Sequence, residues 1–220
     1  MIRAIAFDFD GVLVESVDVK TRAYAYLFKE YGQDVVSKVV DYHMGNGGIS
    51  RFVKLRTIYD KILKKPLSES KLDSLSEQFS SIVVDAVVAA PWVEGAQEFL
   101  KKNKNRYLYF IVSGTPQEEL KLIVQRRQMG QYFCAVLGSP KDKVALFREV
   151  FPRLNLTPKE TVFVGDAETD WNAAKTMGLP FLWRRVPEDA TLLKGYTGPQ
   201  MSTLSSLEEN LKILKKQTNL

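Results

Sequence analysis

The 220-residue chain has one cysteine, Cys134, so no internal disulfide can form. Cys134 lies in the apolar run Cys134-Ala135-Val136-Leu137, which predicts a buried structural residue rather than a nucleophile. His43 is the only histidine and is expected to pack at a helix end. No apolar run approaches the ~18 residues of a bilayer-spanning helix. The first residues enter a strand pattern directly, with no basic-then-apolar leader. The expectation is a cytoplasmic protein with no membrane partner. No internal repeat or low-complexity tract is visible. Charge of one sign does not dominate either. The net charge is +5, and residues 17–89 hold 11 Lys/Arg against 9 Asp/Glu, which is no basic patch. Lys212, Lys215 and Lys216 alternate with Leu207, Leu211 and Leu214 at helical spacing and read as a solvated face. Nucleic acid is therefore not an expected partner. A mild positive field would instead favour a phosphorylated substrate.

What is present is a set of carboxylates at strand ends. Asp8 and Asp10 follow the apolar run Ala4-Ile5-Ala6-Phe7 and precede Gly11. Residues i and i+2 of a strand share a face, about 6–7 Å apart along the chain. Open parallel sheets place their ligands at the carboxyl ends of strands. Two acids there suggest a nucleophile beside a proton-transfer group, with a hard cation nearby. Three later fragments fit the same chemistry. Phe110-Ile111-Val112 runs into Ser113-Gly114-Thr115-Pro116, whose hydroxyls and backbone N–H groups at a helix start would cradle phosphate. Gly138-Ser139-Pro140-Lys141-Asp142-Lys143 precedes a helical run and offers a cation for phosphate oxygens. Thr161-Val162-Phe163-Val164-Gly165-Asp166 ends a strand, with Asp170 four residues on and Glu168 between them expected in solvent.

Together these four fragments, in this order, resemble the haloacid dehalogenase superfamily. The resemblance is to its aspartate-nucleophile phosphatases with a helical cap, in the phosphoglycolate phosphatase and β-phosphoglucomutase-like subgroup. It covers residues 1–16 and roughly 90–200 by motif, and 17–89 only as a helical insertion in the right place. The resemblance implies that Asp8 is the nucleophile and Asp10 the acid and base. It implies that Ser113 and Lys143, rather than Lys141, hold the transferring phosphoryl group, with Gly114 and Thr115 beside it. It implies a Mg²⁺ ion held by Asp8, Asp166 and the Asp10 backbone carbonyl, with Asp170 ligating directly, through water, or by orienting a ligand.

Strand-like runs at 2–8, 107–112, 134–138, 161–165 and 180–183 alternate with helical runs. That pattern predicts an α/β fold, a Rossmann-like parallel sheet with helices on both faces. Its core would comprise 1–16 and 90–220, with an α-helical cap over 17–89. Within the cap, Tyr24, Leu27 and Phe28 form one helical stripe, and Phe52, Leu55, Ile58, Tyr59 and Ile62 a second. Leu72, Leu75, Phe79, Ile82, Val83 and Ala86 form a third. Pro91-Trp92-Val93-Glu94-Gly95-Ala96 then opens a core helix carrying Phe99 and Leu100.

The loop Tyr42–Ser50 is rich in glycine and ends at Arg51. Arg51 is expected either to grip a substrate's remote phosphate or carboxylate, or to be a solvated first-turn residue. Lys20 is a second cap candidate for the substrate, and exposure is its alternative.

The expected activity is Mg²⁺-dependent hydrolysis of a small phosphorylated metabolite through an aspartyl-phosphate, by a monomer or homodimer. The nearest alternative is a phosphosugar mutase of β-phosphoglucomutase type. Gly48-Ile49-Ser50-Arg51 resembles the cap loop of those enzymes, but Lys20 stands where they carry a histidine. A true dehalogenase is disfavoured by Asp10. A phosphonate hydrolase would need a Schiff-base lysine in the cap, for which Lys20 is a weak candidate. A catalytically silent protein on the same scaffold is disfavoured because every motif residue is kept.

Overall fold

The computed structural model describes residues 1–185, 193 and 195–218, with side chains described as far as residue 215; the side chain of Lys216 lies outside them. Six parallel strands form one sheet in the order β3-β2-β1-β4-β5-β6. They are β1 Ala4–Phe7, β2 Leu108–Pro116, β3 Ala135–Ser139, β4 Thr161–Gly165, β5 Phe181–Arg184 and β6 Gln200–Met201. The five strand-like runs of the sequence are all present. β6 is an addition, two residues long with no apolar run to announce it.

β1 is central, and its four residues are all buried. Its alternation shows why. Ile5 and Phe7 enter one core and Ala4 and Ala6 the other, as expected of a strand covered on both faces. The first core is closed by α5 (Ala96–Asn103), α6 (Gln117–Arg126) and α9 (Leu207–Thr218), through Phe99, Ile123 and Leu211. The second is closed by α7 (Lys143–Leu154) and α8 (Glu168–Met177), through Phe147 and Ala173. Leu207, Leu211 and Leu214 are buried, Lys212 is exposed and Lys215 is half-buried, so the face is fully solvated at Lys212 and only partly at Lys215.

Four helices separate β1 from α5: α1 (Val17–Leu27), α2 (Gln33–Met44), α3 (Arg51–Thr57) and α4 (Glu69–Ala89). α1 packs on α2 and α4, and α3 packs on α4. α3 widens into a π-helical turn over Ile58–Leu63, which keeps Leu55, Ile58 and Tyr59 on one buried side. Ala86 is exposed, because the buried stripe of α4 runs through Val83 and Val87 instead. The chain enters and leaves this bundle at one place. Glu15 N–H donates to the Pro91 carbonyl at 3.0 Å, and Val93 N–H to the Leu13 carbonyl at 3.0 Å.

Two local expectations need correction. Cys134 is exposed, because it precedes edge strand β3, and its Sγ–H donates to the Tyr109 carbonyl at 3.0 Å. Strand β2 does not end at Val112. It runs on through Ser113-Gly114-Thr115 to Pro116, with a register shift against β3, and α6 starts only at Gln117. Among the described residues, no helix is long and apolar enough to cross a membrane.

Candidate active site

β1 lies between β2 and β4, with Phe7 level with Ile111 and with Val164. That register carries Asp8, Ser113 and Asp166 to one sheet edge. Asp8 is anchored by its own N–H, which donates to the Val164 carbonyl at 2.9 Å. The chain then turns sharply at Gly11, whose φ of +74° is one L side chains rarely adopt. A Cβ there would also collide with the Asp166 carboxylate. Arg184, buried on β5, braces the turn by donating to the Gly11 carbonyl at 3.0 Å and to Glu15 Oε1 at 2.5 Å.

Asp10 is held in a polar clamp. Ser16 Oγ donates to its Oδ1 at 2.6 Å, Thr115 Oγ1 to its Oδ2 at 2.9 Å, and Lys20 Nζ also to Oδ2. Lys20 donates in addition to Thr115 Oγ1 at 2.7 Å. Burial would raise the Asp10 pKa, but the Lys20 charge and the hydrogen bonds outweigh it and hold the carboxyl below its ordinary value. Asp10 is thus ionised near neutral pH.

Asp8 is shifted the other way. It is 3% exposed, and burial first, then the charges of Asp170 and Asp10, overcome the pull of Lys143 and push its pKa up to about 7. Lys143 Nζ lies 3.1 Å from Asp8 Oδ1, yet that oxygen accepts no hydrogen bond from the protein. Lys143 donates instead to Asp170 Oδ1. Burial alone would discharge Lys143, but Asp170 and Asp8 keep it protonated. Asp170, wholly buried, accepts at its other oxygen from the N–H groups of Asp166 and Ala167, at 3.2 and 3.1 Å. Both of its oxygens are thus engaged by protein donors. Burial and the neighbouring carboxylates of Asp8 and Asp170 also hold the Asp166 pKa well above the usual range.

Carboxylate oxygens of Asp8, Asp166 and Asp170 lie within 4.8 Å of one another. Three crowded carboxylates, two of them reluctant to ionise and one with an orphaned buried oxygen, fit a hard divalent cation. The Asp10 side chain does not join this cluster, since its oxygens are taken by Ser16, Thr115 and Lys20.

The helical bundle closes over the site. Thr169 Oγ1 donates to the Gly47 carbonyl at 2.7 Å, which fastens the glycine loop to the start of α8. Gly48 has φ +71°, and a Cβ on it would collide with Thr169 Oγ1. Between bundle and sheet lies a cavity of about 780 Å³, reached by Asp8, Asp10, Ser113, Lys20, His43 and Lys54. Gly114 and Thr115 also line it, and Glu168, at its mouth, is exposed as expected.

Lys143 is brought to Asp8, whereas Lys141 is exposed and pairs with Glu149 at 2.7 Å. Lys20 reaches the site and is not a surface residue. Arg51 departs from the second of its expectations. It is 4% exposed, so it is not solvated, and its guanidinium is already engaged. It donates to Glu119 Oε1 at 2.6 Å, to Ser80 Oγ at 2.7 Å and to the Ser76 carbonyl at 3.1 Å, and it stacks on Phe79. These bonds use three of its five N–H donors, and Arg51 also borders the cavity. His43 packs 4.6 Å from the Tyr24 ring at the end of α2 and also borders the cavity. Sequence reasoning missed Lys54, Glu119 and Arg184. A lysine three residues after Arg51 gives no signal of burial, and the partners of Glu119 and Arg184 are far away in the chain.

A protein-family model described as haloacid dehalogenase-like hydrolase matches residues 5–184. A phosphorylated carbohydrates phosphatase of Thermotoga maritima is 24% identical over 185 residues, covering 81% of this chain and 82% of that one. Phosphoglycolate phosphatase 1 of Pseudomonas aeruginosa is 25% identical over 187 residues, covering 80% of this chain and 67% of that one. The crystal structure of β-phosphoglucomutase from Clostridium difficile superposes with a TM-score of 0.82 at 19% identity over 100% of both chains, a likeness of fold.

Proposed function

The chain belongs to the haloacid dehalogenase-like hydrolases, with the match running over residues 5–184, and from that premise we propose that it hydrolyses small phosphomonoesters with Asp8 as nucleophile. The carrying observation is Asp8 itself, with a buried, unpartnered carboxylate oxygen beside Lys143 and two further carboxylates. The relatives named above act, by their names, on phosphorylated carbohydrates and phosphoglycolate.

In this reading Asp8 attacks phosphorus in line. The P–O bond to the leaving group breaks and the phosphoryl group moves to the Asp8 carboxylate. Asp10 carries a proton to the leaving oxygen, then takes one from the water that cleaves the aspartyl-phosphate. The ionised state that Lys20 maintains suits the second of these steps, and the first requires Asp10 to take up a proton before the leaving group departs. Ser113 and Lys143 hold the phosphoryl oxygens, with Gly114 and Thr115 lining the approach. Asp8 and Asp166, with Asp170 orienting, would hold Mg²⁺, which supplies charge neutralisation for the phosphoryl oxygens. Residues 1–16 and 90–220 form the catalytic core and 17–89 the cap that excludes water. The enzyme would work in the cytoplasm as a monomer or homodimer.

A phosphosugar mutase carries less support, because the relatives that cover most of the chain are named phosphatases. A binding protein without catalysis would not need Asp8, Asp10, Lys143 and Asp166 together. The test is release of inorganic phosphate from p-nitrophenyl phosphate and from a panel of sugar and acid phosphates, with Mg²⁺ present. Isomerised sugar phosphate without free phosphate would favour the mutase, and no product from any of them would refute both.

A further inference from the structure

The cap contributes two buried cations to the cavity wall, and they differ in one respect. Arg51 is neutralised by Glu119. Lys54, 3% exposed, has no carboxylate within ion-pair distance among the described residues. Its Nζ lies 2.9 Å from His43 Nδ1 and donates weakly to the His43 carbonyl at 3.4 Å. An ammonium has three donors, so one N–H is left without a hydrogen-bond acceptor among the described residues, with the Tyr24 ring centroid 5.8 Å from Nζ. Both side chains border the cavity that receives the phosphoester. Lys54 makes no hydrogen bond to Asp8, Asp10, Asp166 or Asp170, so it is separate from the phosphoryl machinery. A buried cation without a counter-ion is costly unless something supplies the opposite charge.

We propose that Lys54, positioned by His43, is the cap's specificity residue and takes a second anionic group, a carboxylate or phosphate, at the far end of a phosphomonoester substrate. This rests on the phosphatase reading and adds the substrate class to it. His43 fits the positioning role because it is neutral. Burial, then the charge of Lys54, holds its pKa down to about 2, which leaves Nδ1 free to accept. Burial, then Lys20, also draws the Lys54 pKa down to about 7, while Asp10 and Asp166 act in the other direction and Lys143 with Lys20. An anion arriving beside Lys54 offsets both causes.

The test compares 2-phosphoglycolate, which bears a carboxylate, with 2-hydroxyethyl phosphate, its neutral counterpart, on the full chain with Mg²⁺. Wild type should favour the carboxylate substrate by about 10–100-fold in kcat/KM, the range of one charge-assisted contact. Lys54→Met should collapse that ratio towards one, mainly through KM, and Lys54→Arg should restore part of it. A substrate with a terminal phosphate in place of the carboxylate separates the two anion types by the same ratio. If wild type hydrolyses the neutral substrate and prefers neither anion, the inference is overturned and the phosphatase reading stands. If Lys54→Met keeps the full preference, Lys54 is structural. If nothing is hydrolysed here or on the wider panel, the phosphatase reading fails. Titration calorimetry with the same pair then decides the inference, since equal affinities for both compounds overturn it.

Discussion

Gly114 of the sheet and Gly48 of the cap loop meet backbone to backbone. A Cβ on Gly114 would collide with the Gly48 carbonyl oxygen. The φ of Gly114 itself suits an alanine, so the constraint is the neighbour and not the torsion. Cap closure therefore depends on the absence of one methyl group. Gly114→Ala should leave the melting temperature within a few degrees of wild type and lower kcat/KM about 10–100-fold, as expected when a closing element is displaced by about an ångström. Full activity in a folded Gly114→Ala sample would mean that closure over β2 is not needed for turnover.

Asp8→Asn should abolish phosphate release while preserving the fold, since it removes the attacking oxygen and keeps the side chain's shape. Phosphate release and far-ultraviolet circular dichroism measured on one sample check both halves. Turnover near wild type would exclude an aspartyl-phosphate.

Activity should vanish with EDTA and return with Mg²⁺, because Asp8, Asp166 and Asp170 crowd their oxygens within 4.8 Å, and Lys143 forms ion pairs with Asp8 and Asp170 alone among them. Ca²⁺ should inhibit, since its larger, looser coordination spoils in-line geometry. Undiminished turnover after exhaustive chelation would remove the metal from the proposed reaction.

The Arg51–Glu119 pair joins the cap helix α3 to the core helix α6, and both side chains are almost fully buried. Arg51→Ala would leave the Glu119 carboxylate buried with, among the described residues, only Ser80 as a hydrogen-bond partner. Breaking such a pair costs about 3–5 kcal/mol. Urea unfolding should show that loss, and Arg51→Met combined with Glu119→Leu should recover much of it. If the single variant is as stable as wild type but shows a raised KM, the arginine binds substrate and its ion pair opens in solution.

The sheet and the acidic residues were legible in the sequence because strand-end chemistry is local. Asp8 and Asp10 sit two apart beside Gly11, and each apolar run leads directly into its functional residue. The choice of Lys143 over Lys141 came from the family pattern, and the placement agrees, with Lys143 beside Asp8 and Lys141 on Glu149. The cap was legible only as stripes. Arg51 read as a substrate grip or a solvated first-turn residue and Lys54 gave no signal, because what buries them is tertiary. Glu119 is supplied by a helix 68 residues further on, and His43 by the preceding helix. Cys134 was misread because an apolar run does not reveal whether its first residue precedes an edge strand.

His43 makes the cap sensitive to acid. Burial, then Lys54 and Lys20, lowers its pKa from 6.5 to about 2, with only Asp10 opposing. The unfolded chain takes up a proton near pH 6.5, whereas the folded one resists until about pH 2. The stability contribution of a neutral His43 is therefore complete above pH 6.5 and declines as the pH falls through that window. The limiting slope is about 1.4 kcal/mol per pH unit for one proton. At pH 5.5 the accumulated loss should be about 1.4 kcal/mol. Urea unfolding at pH 7.5, 6.5 and 5.5 in Mg²⁺, for wild type and His43→Gln, isolates this group, because every other titrating residue is common to both. Glutamine retains an acceptor for Lys54 and cannot be protonated. The wild-type curve should fall more steeply than that of the variant by this amount. Parallel curves would show that the folded protein protonates His43 readily, and that the Lys54 contact does not hold Nδ1 as an acceptor.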